Sequence, residues 1–206
     1  MRENVQNVIF DLGGVILDLD ISNSFREFSK IGNISAEDGL QHFHNNAFFK
    51  AYEKGEISSQ AFRSELKGLL GVDCEDTQID TAWNAMLLGI PEEKLTMLME
   101  LKNNYRTYLL SNTNAIHIEY IDNMLLARGR GQLSEHFHTA YYSHDMGMRK
   151  PDSEIYKTLL EKEGLVASES IFIDDLKENI EGAKALGIQT WHLTDAGLLL
   201  DGLKNG

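Results

Sequence analysis

Three short, largely apolar runs in this 206-residue chain each stop on polar residues. Val5–Phe10 ends at Asp11-Leu12-Gly13-Gly14, Thr107–Leu110 at Ser111-Asn112, and Ile171–Ile173 at Asp174-Asp175. Runs of this kind read as strands buried on both faces, which is how strands of a parallel sheet look in sequence. Parallel strands need crossovers, and helical patterns lie where these belong. Leu95, Leu98 and Met99 share one helix, Pro151-Asp152-Ser153 opens another that Gly164 closes, and Leu176, Ile180, Ala183 and Leu186 mark a third ending at Gly187. Phe137–Tyr142 and Ile188–Leu193 supply further strands. The alternation predicts an α/β fold: a doubly wound parallel sheet with helices on both faces.

Residues 19–89 break that rhythm. Helical spacings appear in Phe62, Leu66, Leu69 and Leu70, and again in Ile79, Trp83, Met86 and Leu87. Ser35 with Asp38 resembles a capping box, and Gly55 separates a segment ending at Lys54 from one opening at Ser58. This stretch is expected to be an inserted unit of four helices, leaving 1–18 and 90–206 as the α/β core. Asp18–Asp20 and Gly89–Pro91 are the expected hinges.

Composition excludes several classes. With 42% hydrophobic residues, 25% charged residues and only 2 prolines, the chain reads as globular. A formal charge of −13 argues against nucleic acid, whose binding requires Lys and Arg on backbone phosphates. Nowhere do ~18 apolar residues run together, so no membrane segment is expected, and Met1–Phe10 lacks the pattern of a signal peptide. The single Cys74 allows no intrachain disulfide and fits a reducing, cytoplasmic setting. The histidine pairs His42/His44 and His136/His138 lack the acidic or thiol partners of a zinc set.

In an open α/β sheet, ligands bind at the carboxyl ends of the strands. Asp11, Ser111-Asn112 and Asp174-Asp175 should therefore gather at one edge, within reach of Gly147-Met148-Arg149-Lys150-Pro151. Crowded carboxylates raise one another's pKa unless a cation lies among them. Oxygen ligands without a thiol pair point to Mg²⁺. Such a cation, with Lys150 and the Ser111 hydroxyl, can neutralise a phosphate dianion while Asp11 attacks phosphorus.

Phe10-Asp11-Leu12-Gly13-Gly14-Val15, Leu110-Ser111-Asn112, Arg149-Lys150-Pro151, and Ile173-Asp174-Asp175 with Asn179 resemble, in order, the four motifs of the haloacid-dehalogenase-like superfamily. The likeness spans nearly the whole chain and is to the phosphatase branch with a small helical cap after the first strand. It implies Asp11 as nucleophile, with Ser111 and Asn112 on phosphate oxygens. It also implies Lys150 pairing with nucleophile and phosphoryl group, and Mg²⁺ held by Asp11, the Gly13 carbonyl, Asp175 and, directly or through water, Asp174. The stretch from Gly147 through Leu186-Gly187-Ile188 is similar to bacterial phosphatases acting on α-glucose 1-phosphate. That implies a small phosphorylated metabolite, a sugar phosphate, as substrate.

One position departs from the pattern. The family usually places a second Asp, a general acid and base, two residues after the nucleophile, and this chain has Gly13. Asp18, Asp20 or Glu56 are candidates to donate the proton instead, and the Glu53–Ile57 joint, with Glu56, is a candidate contact for the non-phosphate end of the substrate. The reading preferred here is a good leaving group such as an anomeric phosphate, helped by one of these donors; slow turnover is the third. The rival functions are dehalogenation, a phosphorylatable receiver, and a catalytically retired binding protein.

Overall fold

Asn7–Phe10 forms β1, buried along its whole length, at the centre of the computed structural model, which describes residues 4–32, 35, 37 and 46–204. Asp38, His42 and His44 lie outside the described residues. Strand β1 pairs in parallel with β4 (Arg106–Ser111) on one side and β6 (Ser170–Asp174) on the other. With β5 (Thr139–Tyr142) and β7 (Gln189–His192) at the edges, the order is β5-β4-β1-β6-β7, all parallel. Alternate residues feed two cores. Val8, Phe10, Leu109, Ile171 and Ile173 point to one face, while Ile9, Tyr108, Leu110 and Phe172 point to the other. This two-sided burial is why the strands read as continuous apolar runs, and the fold is the expected doubly wound α/β sheet.

Between β1 and β4 the chain leaves the sheet. Four helices are described there: α1 (Ile21–Ile31), α2 (Ala47–Glu53), α3 (Ser59–Leu70) and α4 (Asp76–Asn84). Their shared interior is aromatic: Phe62 packs against Phe49, Tyr52 and Trp83. Asp20 caps α1 by accepting from the Ser22 amide, and Ser58 caps α3 by accepting from Ala61. The exits differ from the helical spacing read in sequence. Leu87 belongs to β3 (Leu87–Gly89), which pairs antiparallel with β2 (Asp18–Leu19), so both crossings to the core lie in one two-stranded ribbon. An apolar residue four positions after Trp83 suits a helix and a strand equally; the Asp20 amide bonding the Met86 carbonyl decides it.

Helices α5 (Glu92–Leu101), α6 (Ala115–Ala127), α7 (Ser143–Met146), α8 (Ser153–Glu163), α9 (Lys177–Lys184) and α10 (Leu198–Lys204) complete the chain. In α5 Leu95 and Leu98 face inward as expected, joined by Met97, whereas Met99 is half exposed. Gly182 lets α9 approach the turn before α8 closely, since a Cβ there would sit 2.7 Å from the Pro151 carbonyl oxygen.

Candidate active site

The carboxyl ends of β1, β4 and β6 bring the polar residues together. Asp11 follows β1 directly, its amide continuing the ladder to the Ile173 carbonyl at 2.9 Å. The chain then tightens, with the amides of Val15, Ile16 and Leu17 all directed at the Leu12 carbonyl. Gly14 turns with φ +72°, and a Cβ at this position would lie 2.4 Å from Asp175 Oδ2. Glycine is thus required there both by the backbone and by the carboxylate.

Lys150 is almost fully buried and reaches two carboxylates, Asp11 Oδ1 at 2.6 Å and Asp174 Oδ2 at 2.8 Å. Burial works against its charge, but the two aspartates outweigh that and hold the ammonium above its usual range. Its backbone is clamped by Asn112, whose Nδ2 donates to the Lys150 carbonyl at 2.9 Å and whose Oδ1 accepts from the Lys150 amide at 2.8 Å. Asn112, expected on a phosphate oxygen, has its side chain engaged with this loop, and Asn114 caps α6. Asp174 is fully buried: Oδ1 accepts from the Leu176 amide and from Asn179, and Oδ2 from Lys150 and Asn179.

Asp11, Asp174 and Asp175 each offer an oxygen within 4.8 Å of the others, a cluster able to hold a metal ion. Three carboxylates against one ammonium leave a formal charge of −2 (−3 + 1), which matches a divalent cation. Burial pushes the Asp11 carboxyl up to about 7, with Lys150 pulling down and Asp174 adding to the rise. Asp175 is raised for the same first reason, burial, and then by Asp174. These shifts are what a crowded acidic site shows without its cation.

Gly13 and Ser111 line one cavity of about 140 Å³ between the core and the helical unit. The core contributes Leu12, Asn112 and His117; Ile21, Glu53, Trp83 and Met86 close it from the helical side. His117 stacks on Trp83 with centroids 4.8 Å apart and bonds Asn84 Oδ1 through Nδ1 at 2.9 Å. Burial drives its pKa down to about 3, so the ring is neutral. Glu56 is elsewhere: its side chain is 54% exposed and pairs with Lys54 at 3.1 Å. Glu53, three residues earlier, is the acid that lines the cavity, and its carboxylate meets Arg149 at 3.2 Å. Asp18 pairs with Lys94 at 2.9 Å and Asp20 is occupied at the α1 cap; neither lines the cavity. Glu53 was detectable in sequence only as part of the joint around Gly55, because its direction depends on residues some ninety positions away.

Residues 5–187 match the family of haloacid dehalogenase-like hydrolases, and the chain belongs to that family. It is 30% identical over 187 residues to a D-ribitol-5-phosphate phosphatase of Bacteroides thetaiotaomicron, covering 91% of each chain. A solved structure of a HAD-family enzyme from the same organism, in complex with magnesium and inorganic phosphate, superposes with a TM-score of 0.83. Its identity is 38%, with 91% of this chain and 93% of that one covered. L-2-haloacid dehalogenase of Xanthobacter autotrophicus has a TM-score of 0.61 at 18% identity, covering 90% and 76%, and shares the fold alone. Within its superfamily the chain is an enzyme of the phosphatase type, a phosphoric monoester hydrolase. None of its described helices is long and apolar enough to cross a membrane.

Proposed function

We propose that the chain hydrolyses small sugar or sugar-alcohol phosphates with Mg²⁺ as cofactor, through an aspartyl-phosphate on Asp11. The observation that carries this reading is Asp11 held 2.6 Å from Lys150 inside an acidic cluster whose residual charge suits a divalent ion. Asp11, the Gly13 carbonyl and Asp175 would hold Mg²⁺, and Asp174, saturated by its own donors, would act mainly by fixing Lys150. Bound there, the ion would screen the phosphate dianion from the attacking carboxylate. Asp11 attacks phosphorus, the ester oxygen leaves with a proton, and water then releases inorganic phosphate from Asp11. Lys150 neutralises charge on the phosphoryl group and the Ser111 hydroxyl donates to one of its oxygens. The relative acting on D-ribitol 5-phosphate supports a polyhydroxylated leaving group.

The test is phosphate release from a panel including D-ribitol 5-phosphate and α-glucose 1-phosphate, in Mg²⁺ and in EDTA. Asp11→Asn should lose roughly 10⁴-fold or more in kcat, and EDTA should abolish turnover reversibly. Full activity in EDTA, or in the variant, overturns the reading.

A further inference from the structure

An alkoxide leaves phosphorus poorly unless it is protonated as the bond breaks. At Gly13, beside the nucleophile, no side chain can supply that proton. Two titratable groups line the same cavity among the described residues, Glu53 and His117. His117 is unsuitable. Asn84 Oδ1 can only accept, so the ring proton lies on Nδ1, and a pKa near 3 leaves Nε2 without one. Glu53 remains, and its mounting is firm. Its own carbonyl accepts from Ser143 Oγ at 2.5 Å, and the Tyr52 hydroxyl accepts from the Ile116 amide at 3.3 Å. Gly55 lies so close to the core that a Cβ there would be 2.2 Å from the His144 carbonyl oxygen. Arg149 holds Glu53 through Oε2 alone, by Nε at 3.3 Å and Nη2 at 3.2 Å, and among the described residues no donor holds Oε1. Glu53 and Gly13 thus line the walls of one small cavity of about 140 Å³.

We propose that Glu53, at the end of α2, is the catalytic acid and base, a carboxyl supplied from the helical unit where the loop after β1 offers only Gly13. This rests on the phosphatase reading above. As Asp11 Oδ bonds phosphorus and the P–O ester bond breaks, the departing oxygen takes the Glu53 proton, giving the alcohol and a Glu53 carboxylate. Water then attacks phosphorus, the Asp11–phosphorus bond breaks, and the water's proton returns to Glu53 as inorganic phosphate leaves. Burial raises the Glu53 carboxyl towards this role, while Arg149, then Lys150 and Lys50, oppose the rise.

The experiment compares p-nitrophenyl phosphate, whose leaving group needs little protonation, with glycerol phosphate, whose leaving group needs it. Both are assayed on the intact protein in Mg²⁺. E53Q should lose ~10²–10⁴-fold in kcat on glycerol phosphate, a loss at least ten times larger than on p-nitrophenyl phosphate. Its KM should change less than its kcat. E53D, which keeps a carboxyl one methylene shorter, should keep the wild-type ratio between the esters more closely. In the double variant G13D/E53Q a carboxyl beside the nucleophile should restore glycerol phosphate turnover at least tenfold. A Cβ at Gly13 would meet Leu19 Cδ2 at 3.3 Å, the end of a flexible side chain that has to give by a few tenths of an ångström. Equal losses on the two esters, or an E53D ratio as altered as that of E53Q, overturn the role of Glu53 and leave the phosphatase reading standing. If the unaltered protein releases phosphate from neither ester, that reading fails and takes this inference with it.

Discussion

At the strand ends, both Asp174 oxygens have donors, Asn179 is turned onto them, and Lys150 is gripped at its ammonium by two carboxylates and at its backbone by Asn112. In the cavity beneath the helices, apolar walls surround two acceptors without a described donor, Glu53 Oε1 and His117 Nε2. The first region holds the Asp174 and Lys150 charges in place by satisfying them internally, and only the Asn179 Oδ1 beside them lacks a partner among its described atoms. The second leaves polar atoms unsatisfied, so a ligand has something to bind. On the proposed reading, the first region serves the phosphoryl group and the second meets the departing alcohol, to which Glu53 gives its proton.

The comparison predicts a large penalty wherever the saturated region is broken. Lys150→Met removes the ammonium between two buried carboxylates and should destabilise the protein by about 3–5 kcal/mol, measured by urea unfolding, with loss of turnover. A cost below 1 kcal/mol would mean that the strand ends are not held as described.

Metal and pH sharpen the same point. The folded-state pKa of Asp11, about 7, lies above its ordinary 3.8, so the folded protein holds a proton that the unfolded chain releases. That contribution is complete below about 4 and lost as pH rises to about 7. In EDTA the melting temperature should therefore fall across this window. Mg²⁺ should reverse the fall near pH 7, by about 2.7 kcal/mol at a hundredfold excess over Kd. The smallest effect belongs to the outer face of the helices. Arg63 makes a paired contact with Asp80 at 2.8 Å from both Nε and Nη2. Arg63→Ala should cost under about 1 kcal/mol and leave kcat unchanged; a changed kcat would show that face to be coupled to the cavity.

The strand-end residues were legible because an apolar run that stops on an acid or a hydroxyl marks both a buried strand and the edge where ligands bind. Asp11, Ser111 and Asp174-Asp175 stand at such stops, and the fold brings those strand ends side by side. The family resemblance implies Asn112 on a phosphate oxygen, and nothing in sequence shows that its amide pairs with the backbone of a loop far along the chain. Glu56 and Glu53 cannot be told apart in sequence for a related reason. Both acids flank Gly55, and only the docking of α2 against Ser143 and Arg149 turns Glu53 inward and leaves Glu56 beside Lys54. Leu87 could not be assigned to a strand without its partner, Leu19.

The ribbon of β2 and β3 gives the molecule a socket. The chain leaves at Asp18–Leu19 and returns at Leu87–Gly89 side by side, with Asp18 tied to Lys94 of α5. The core therefore meets both ends of the helical excursion at one fixed place. Closing a longer or shorter loop there changes the entropy only slowly with length. Helices beyond the ribbon can be enlarged or repacked while Asp11 and Lys150 keep their positions, so long as α2 still delivers a carboxyl such as Glu53 to the cavity, which leaves the rest of the unit open to change with the substrate.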